Sequence, residues 1–125
     1  MGYYTNFTGD FKFSREATEV EYEEFKAFCE DNQNKDPWKH GLYKEPDGRI
    51  DYPCRWFISS CYTRLMIDPE GKSYYYEEWL RLLVSRFFKP KGIVLNGEVH
   101  WSGEEVKNCG VLTIKDNLVN VRKKE

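Results

Sequence analysis

Hydrophobic and polar side chains alternate at the start of the chain, with Phe7, Phe11 and Phe13 at odd positions of residues 3–14. Alternation with a period of two sends successive side chains to opposite faces of an extended strand. The pattern therefore predicts a half-buried first strand. Gly9 interrupts the apolar row, and we expect the strand to bend there because glycine has no side chain to pack.

A helix signal follows the first strand. Thr18 and Glu21 have the spacing of a capping box, in which each side chain bonds the backbone N–H group of the other residue. Apolar side chains then recur at helical spacing, at Tyr22, Phe25, Phe28 and Cys29. We expect this stripe to face the core and the acidic opposite side of the helix to be solvated.

A longer apolar stripe predicts a second helix. Its members are spaced at i, i+3, i+4, i+7, i+8, i+11 and i+12, which is typical of one buried helix face. They are Tyr76, Trp79, Leu80, Leu83, Val84, Phe87 and Phe88. Pro90 and Gly92 follow and predict the end of the helix.

The remaining alternating stretches predict strands over residues 54–59, 62–67, 93–102, 110–115 and 118–122. Asp116 and Asn117 join the last two strands and tolerate the positive φ that a tight hairpin turn requires. We therefore predict a single α+β domain over residues 1–125. Its order of elements is compatible with a ferredoxin-like β-α-β-β-α-β fold that has an added C-terminal β-hairpin, an antiparallel sheet and both helices on one face.

The net charge of the chain does not favour binding of a polyanion such as nucleic acid. The chain has 19 basic and 21 acidic residues and a net charge of -2, so a nucleic-acid binder would need a local basic patch. No apolar run is long enough to span a membrane, and the first residues lack the basic and apolar regions of a signal peptide. We therefore expect a cytoplasmic protein with no membrane partner.

Cysteine spacing gives no metal-binding signature. Cys29, Cys54, Cys61 and Cys109 contain no C-x-x-C pair, and the two histidines lack the spacing of a zinc finger. Their apolar neighbours predict four buried free thiols. No glycine cluster opens a helix after a strand, so the sequence predicts neither a phosphate loop nor a cofactor.

A stretch without periodicity, residues 31–53, separates the first helix from the second strand. Loops of this length in a small domain are either functional or mobile. Aromatic and arginine side chains are typical of interface cores. The sequence therefore predicts a contact surface for a protein partner, comprising Trp38, His40, Tyr43, Arg49 and Tyr52, with Arg55 just beyond them. Self-association through an uncovered sheet face is the nearest variant.

The uncovered sheet face also predicts an alternative partner, a single-stranded nucleic acid or a nucleotide. Small α+β modules stack bases on exposed aromatic side chains and hold phosphates with neighbouring cations. The candidates are Tyr4, Phe57, Tyr62 and His100, with Lys12, Arg55, Arg64 and Lys115. The motif of an RNA-recognition strand is missing, so the sequence favours a protein partner.

Glu98 and His100 are the candidates for chemistry, because a carboxylate beside an imidazole can serve as an acid/base pair in a cleft. Period two places both on one polar strand face, which also fits a solvent-facing pair. Glu104 and Glu105, with Asp116, could offer oxygen ligands to a divalent cation, but a solvated turn fits them better. A small hydrolase is therefore the least favoured function, and we predict no catalytic residue and no metal.

Five features of the sequence occur in an unusual combination: Tyr4-Thr5-x-Phe7-x-Gly9, Tyr75-x-x-Glu78-Trp79-Leu80, Asn96-Gly97-Glu98-Val99-x-Trp101-x-Gly103-Glu104-Glu105, Gly110 and Asp116-Asn117-x-Val119-x-Val121. In these features the chain resembles a group of small uncharacterised proteins from bacteriophage and other viral genomes. That group has no assigned activity, so the resemblance implies a viral accessory protein without supplying a mechanism. The sequence as a whole favours a non-enzymatic binding protein that engages a protein partner.

Overall fold

A computed structural model of the protein describes residues 5–33, 54–68, 75–103 and 109–124. These residues form an α+β fold with six strands and two α-helices, in agreement with the predicted class. The strands are β1 (Thr5–Phe13), β2 (Trp56–Ile58), β3 (Arg64–Ile67), β4 (Leu95–Gly103), β5 (Cys109–Lys115) and β6 (Leu118–Lys124). The helices are α1 (Glu19–Asp31), between β1 and β2, and α2 (Tyr76–Leu83), between β3 and β4.

The sheet is antiparallel throughout, and its strand order is β2-β3-β1-β4-β5-β6. The first strand of the chain is therefore central, with β3 on one side and β4 on the other. Phe11 lies opposite Leu65 of β3, and Phe7 lies opposite Trp101 of β4. This register aligns the apolar rows of all three strands on one face of the sheet.

Gly9 has a φ of +107° within a continuous β1. A Cβ atom there would run into the backbone carbonyl of Glu98 on β4. Only glycine tolerates both the positive φ and this close approach of two backbones. The expected irregularity at Gly9 is therefore a local change of backbone direction that leaves the strand unbroken.

Both helices pack on the same face of the sheet and share its core. Phe25 of α1 lies 5.9 Å from Phe88, and Phe88 lies 5.2 Å from Phe13 of β1, as measured between ring centroids. Tyr76 of α2 contacts Phe7 at 5.1 Å on the same sheet face. The predicted helical stripes and the odd-numbered row of β1 therefore meet in one aromatic core.

The predicted capping box begins α1. Thr18 Oγ1 accepts from the Glu21 backbone N–H at 3.0 Å, and Glu21 Oε1 accepts from the Thr18 N–H at 2.9 Å. Arg15 adds two bonds to the same carboxylate, at 2.9 and 2.8 Å. The Arg15 guanidinium, together with these N–H donors, lowers the pKa of Glu21 to about 2.

The apolar stripe predicted for the second helix is buried from Trp79 to Phe88. The backbone over these residues, however, is not α-helical throughout. After Leu83 the chain forms a π-helical turn, Val84–Phe88, and then a short 3₁₀ turn, Lys89–Lys91. The wider turn is consistent with the burial of the adjacent rings of Phe87 and Phe88, which lie at 88° to one another. Gly92, with a φ of +74°, ends the segment near the predicted position.

The prediction that Tyr62 belongs to a strand is wrong. The strand expected over residues 62–67 begins only at Arg64, because a turn closed by the Tyr62 N–H and the Ser59 carbonyl precedes it. Tyr62 has a φ of +62°, and its ring packs 5.0 Å from Tyr22 of α1. The left-handed backbone thus directs this side chain to the helix side of the sheet.

The C-terminal hairpin agrees with its prediction. Asp116 and Asn117 have φ values of 49° and 66° and form the turn between β5 and β6. Asn117 Oδ1 also accepts from the Leu95 N–H at 2.7 Å, which ties the turn to the start of β4. Within the described residues, neither helix combines the length and the apolar character that crossing a bilayer requires.

Candidate functional site

The sheet has a second face, opposite the two helices, which we call the open face. Period-two alternation in all six strands assigns side chains to it, and the paired strands keep them in rows. Its members with polar, charged or exposed apolar side chains are Asn6, Thr8, Asp10, Lys12, Phe57, Arg64, Met66, Asn96, Glu98, His100, Ser102, Thr113, Lys115, Leu118, Asn120 and Arg122. This face therefore has a mixed polar surface with a cationic excess.

Three cations form a row across four neighbouring strands of the open face. Lys12 of β1 lies opposite Arg64 of β3 on one side and opposite Asn96 of β4 on the other. The register of β4 with β5 continues this line to Lys115. We call Arg64, Lys12 and Lys115 the basic row. At roughly 4.8 Å between strands, its ends lie about 14 Å apart.

The cations of the basic row differ in their partners. Arg64 Nη1 lies 3.2 Å from Asp10 Oδ2 and forms an ion pair with it. Neither Lys12 nor Lys115 forms an ion pair or side-chain hydrogen bond with any residue that the structure describes. Two of the three cations are thus free to contact an anion without breaking an internal bond.

Phe57 provides an exposed aromatic ring at one edge of the open face, with 43% of its surface accessible. It lies opposite Met66 of β3. Arg55, two residues before Phe57, is also exposed, and its carbonyl accepts from the Asp68 N–H at 3.2 Å. This bond extends the pairing of β2 with β3, so Arg55 shares the face of Phe57.

Glu98 and His100 lie side by side on β4, as their spacing predicted. His100 Nε2 and Glu98 Oε1 are 3.7 Å apart, which is too long for a hydrogen bond, and their side chains are 45% and 60% exposed. An acid/base pair needs a site that excludes water and positions a substrate. The geometry describes a solvent-facing pair, so the structure gives the hydrolase hypothesis no support.

The predicted binding residues divide into two groups. Arg64, Glu98 and His100 share the open face, and Arg55 lies at its edge. The loop residues lie outside the described ranges and stay a prediction: Trp38, His40, Tyr43, Arg49 and Tyr52. Tyr4 also lies outside them, and Tyr62 is excluded from the open face by its contact with Tyr22.

Of the three carboxylates considered as oxygen ligands near the last strands, only Asp116 lies in the described part of the chain. Asp116 lies in the β5–β6 turn, where its N–H donates to Asn96 Oδ1 at 2.9 Å. Glu104 and Glu105 lie outside the described ranges. Across residues 5–33, 54–68, 75–103 and 109–124, no group of three or more His, Cys, Asp or Glu side chains could hold a metal ion.

Cys61 is exposed, which contradicts its prediction as a buried thiol. Its sulfur lies 2.9 Å from Thr63 Oγ1 and 3.5 Å from Ser59 Oγ. Ser59 Oγ already accepts from the backbone N–H groups of Thr63 and Arg64, so its own hydrogen is available to the sulfur. Hydrogen bonds from Ser59 and Thr63 lower the pKa of the Cys61 thiol. In the sequence, the only indication of this polar environment is that hydroxyl-bearing residues, Ser59 and Thr63, lie two positions before and after Cys61.

No family model, no curated protein and no solved structure matches the chain.

Proposed function

We propose that the protein is a non-enzymatic binding protein whose open face binds single-stranded nucleic acid. The observation that carries this proposal is the basic row beside an exposed aromatic ring, with Lys12 and Lys115 unpaired among the described residues. Phosphates would lie along the basic row, and a base would stack on Phe57. With a net charge of -2 the chain has no overall attraction for a polyanion, so binding needs a local cationic patch, and the basic row is such a patch.

The test is fluorescence anisotropy with labelled single-stranded DNA and RNA homopolymers, titrated over a range of salt. Contact with three cations should give a slope of about -2 for log affinity against log salt. The double variant Lys12→Gln/Lys115→Gln should bind about tenfold more weakly in low salt and show a smaller slope. An unchanged anisotropy for the wild-type protein with both polymers would overturn the proposal.

A matched control removes the same charge from the helix side of the molecule. Arg86 and Lys89 are exposed and have no described side-chain partner. The double variant Arg86→Gln/Lys89→Gln should bind like the wild type. Equal losses in both double variants would indicate that total charge, rather than the basic row, sets the affinity.

Phe57→Ala tests the aromatic contact separately from the phosphate contacts. Loss of a stacking platform should weaken binding about tenfold with the salt slope unchanged. Leu118→Ala is the control, because Leu118 is another large apolar side chain exposed on the open face, at 65%. If both variants bind like the wild type, stacking on Phe57 is not part of the interaction.

A protein partner is the second candidate. It is supported by the composition of one corner of the open face, where Arg55, Phe57, Arg64 and Met66 adjoin. Arginine, methionine and aromatic side chains are enriched in interface cores. Affinity capture from a nuclease-treated lysate tests this candidate. A stoichiometric partner that Arg55→Ala/Phe57→Ala releases would favour it over nucleic acid.

The fold name and the viral origin are also proposals. A ferredoxin-like assignment is supported by the order β2-β3-β1-β4, with α1 after β1 and α2 after β3, and the hairpin of β5 and β6 is the addition. A viral accessory role is supported by the sequence resemblance alone. Cross-strand NMR contacts in the order β2-β3-β1-β4 test the first proposal, and the genomic neighbourhood of the coding sequence tests the second.

A further inference from the structure

A cleft of about 250 Å³ separates the C-terminal half of α1 from β2, on the side of the sheet away from the open face. Apolar and aromatic side chains form most of its wall, and Lys26 lies at its rim over the Tyr22 ring, 4.6 Å from the ring centroid. Two cysteines line the cleft from opposite walls. Cys29 belongs to the last turns of α1, and Cys54 lies two residues before β2.

The two thiols are neighbours in this cleft. The Cys54 thiol donates to the Trp56 carbonyl, at 3.6 Å from sulfur to oxygen. Interaction with Cys29 and burial both raise the pKa of Cys54. Both cysteines are half-buried and reduced in this structure. The bond to Trp56 orients the Cys54 thiol within the cleft that Cys29 also lines.

A covalent link at this point would join elements that are far apart in the chain. Residues 30–53 separate the two cysteines, so the link would close a loop of 24 residues. It would also restrain β2, a strand of three residues that pairs only with β3 among the strands that the structure describes. Restricting such a loop stabilises a protein mainly by reducing the freedom of the unfolded chain.

We propose that Cys29 and Cys54 are a redox-responsive pair that forms a reversible disulfide between α1 and β2. The oxidant is a small-molecule disulfide such as oxidised glutathione. The Cys29 sulfur attacks one sulfur of the oxidant, and its proton passes to the departing glutathione. The Cys54 sulfur then attacks Cys29 in the mixed disulfide, and the second glutathione leaves with the Cys54 proton. Two protein thiols are oxidised, and one glutathione disulfide is reduced to two thiols.

Cys29 and Cys54 are the two cysteines that line this cleft. Cys61 is exposed in the β2–β3 turn, and Cys109 lies in β5 across the sheet from the cleft. A single thiol that meets oxidised glutathione can only form a mixed disulfide, whereas a contacting pair releases both glutathiones. The two outcomes have different masses, which makes the proposal testable without knowledge of any binding partner.

The experiment incubates the full-length wild-type protein with oxidised glutathione and measures intact mass, the number of alkylatable thiols and the map of disulfide-linked peptides. We expect a peptide that joins Cys29 to Cys54, the loss of two hydrogen atoms at this pair, and glutathione retained at Cys61. We also expect the melting temperature to rise by about 10 °C and to return on reduction. Stable glutathione on Cys29 or Cys54, or both thiols left unmodified, would overturn the proposal.

Variants that lack selected cysteines separate the oxidation of Cys29 and Cys54 from that of Cys61 and Cys109. Cys61→Ala/Cys109→Ala keeps only Cys29 and Cys54, and it should lose both free thiols on oxidation without retaining glutathione. Adding Cys54→Ala to that variant should leave one glutathione on Cys29 and abolish the rise in melting temperature. If the variant with only Cys29 and Cys54 instead forms linked dimers, the pair does not close within one chain. The wild-type peptide map gives the answer even if a variant fails to fold.

Discussion

Lys12 and Arg64 lie directly opposite each other on the antiparallel strands β1 and β3, with both side chains on the open face. Like charges in this position are destabilising by a few tenths of a kcal/mol to about 1 kcal/mol. Asp10 relieves part of this repulsion through its ion pair with Arg64, at 3.2 Å. This unfavourable pair is consistent with the anion-binding role that we propose for the open face.

Lys12→Gln should therefore stabilise the protein while it weakens nucleic-acid binding. Removing the repulsion should raise the free energy of unfolding by about 0.5 kcal/mol. Lys115→Gln is the matched control, because Lys115 faces Leu118 and no cation across the β5–β6 pairing. It should weaken binding but leave stability unchanged. Urea denaturation and anisotropy measure the two effects, and a destabilised Lys12→Gln protein would contradict this interpretation.

The Arg15–Glu21 pair should make stability depend on acidic pH. The pKa of Glu21 is lowered to about 2 in the folded protein, from an ordinary value of 4.5. A lowered carboxyl pKa stabilises the fold at pH values above 4.5, and this contribution disappears as the pH falls towards 2. Solvent screens the exposed Arg15, so we expect a contribution of about 1 kcal/mol.

Glu21→Gln tests this contribution, because glutamine keeps a side-chain oxygen for the capping box but removes the charge. The variant should be less stable than the wild type at pH 7, and the difference should vanish near pH 2. Thermal melts across that range measure it. A difference that stays constant with pH would rule out the charge effect.

Cys61 should react with alkylating agents at lower pH than an ordinary thiol. Hydrogen bonds from Ser59 and Thr63 stabilise its thiolate and lower its pKa. Thr63→Val keeps the shape of the side chain and removes the hydroxyl, so the midpoint of the pH–rate profile should move upwards. Iodoacetamide labelling followed by peptide mapping measures Cys61 alone. Identical profiles in the two proteins would show that Thr63 has no influence on the thiolate.

Gly110→Ala should be strongly destabilising. The Trp101 ring lies over Gly110, and a Cβ atom there would meet both the ring and the Arg122 carbonyl. We expect a loss of about 3 kcal/mol, since the buried ring and the β5–β6 backbone would both have to move. Gly92→Ala is the control. Its site has no atom close to a new Cβ, so the positive φ alone should cost about 1 kcal/mol. Urea denaturation of both variants distinguishes steric overlap from backbone strain.

Local patterns in the sequence predicted most of the elements. The alternation of β1, the Thr18–Glu21 capping box, the stripe of α2 and the Asp116–Asn117 turn all occur as expected. Each depends on residues a few positions apart, where backbone geometry alone sets which side chains are neighbours. The error at Tyr62 arose where a left-handed residue ended the alternation, which a count of apolar and polar positions does not detect.

Local sequence patterns predicted only part of the candidate site. Lys12, Arg64 and Lys115 were recognised as cations of one sheet face, but their alignment in a row depends on the pairing of β3, β1, β4 and β5. The shared cleft of Cys29 and Cys54 likewise depends on how α1 packs beside β2. The sequence by itself determined the elements, because periodicity and capping are local. Only the tertiary structure decided which distant side chains meet, because strand order and helix packing bring together residues that the chain keeps far apart.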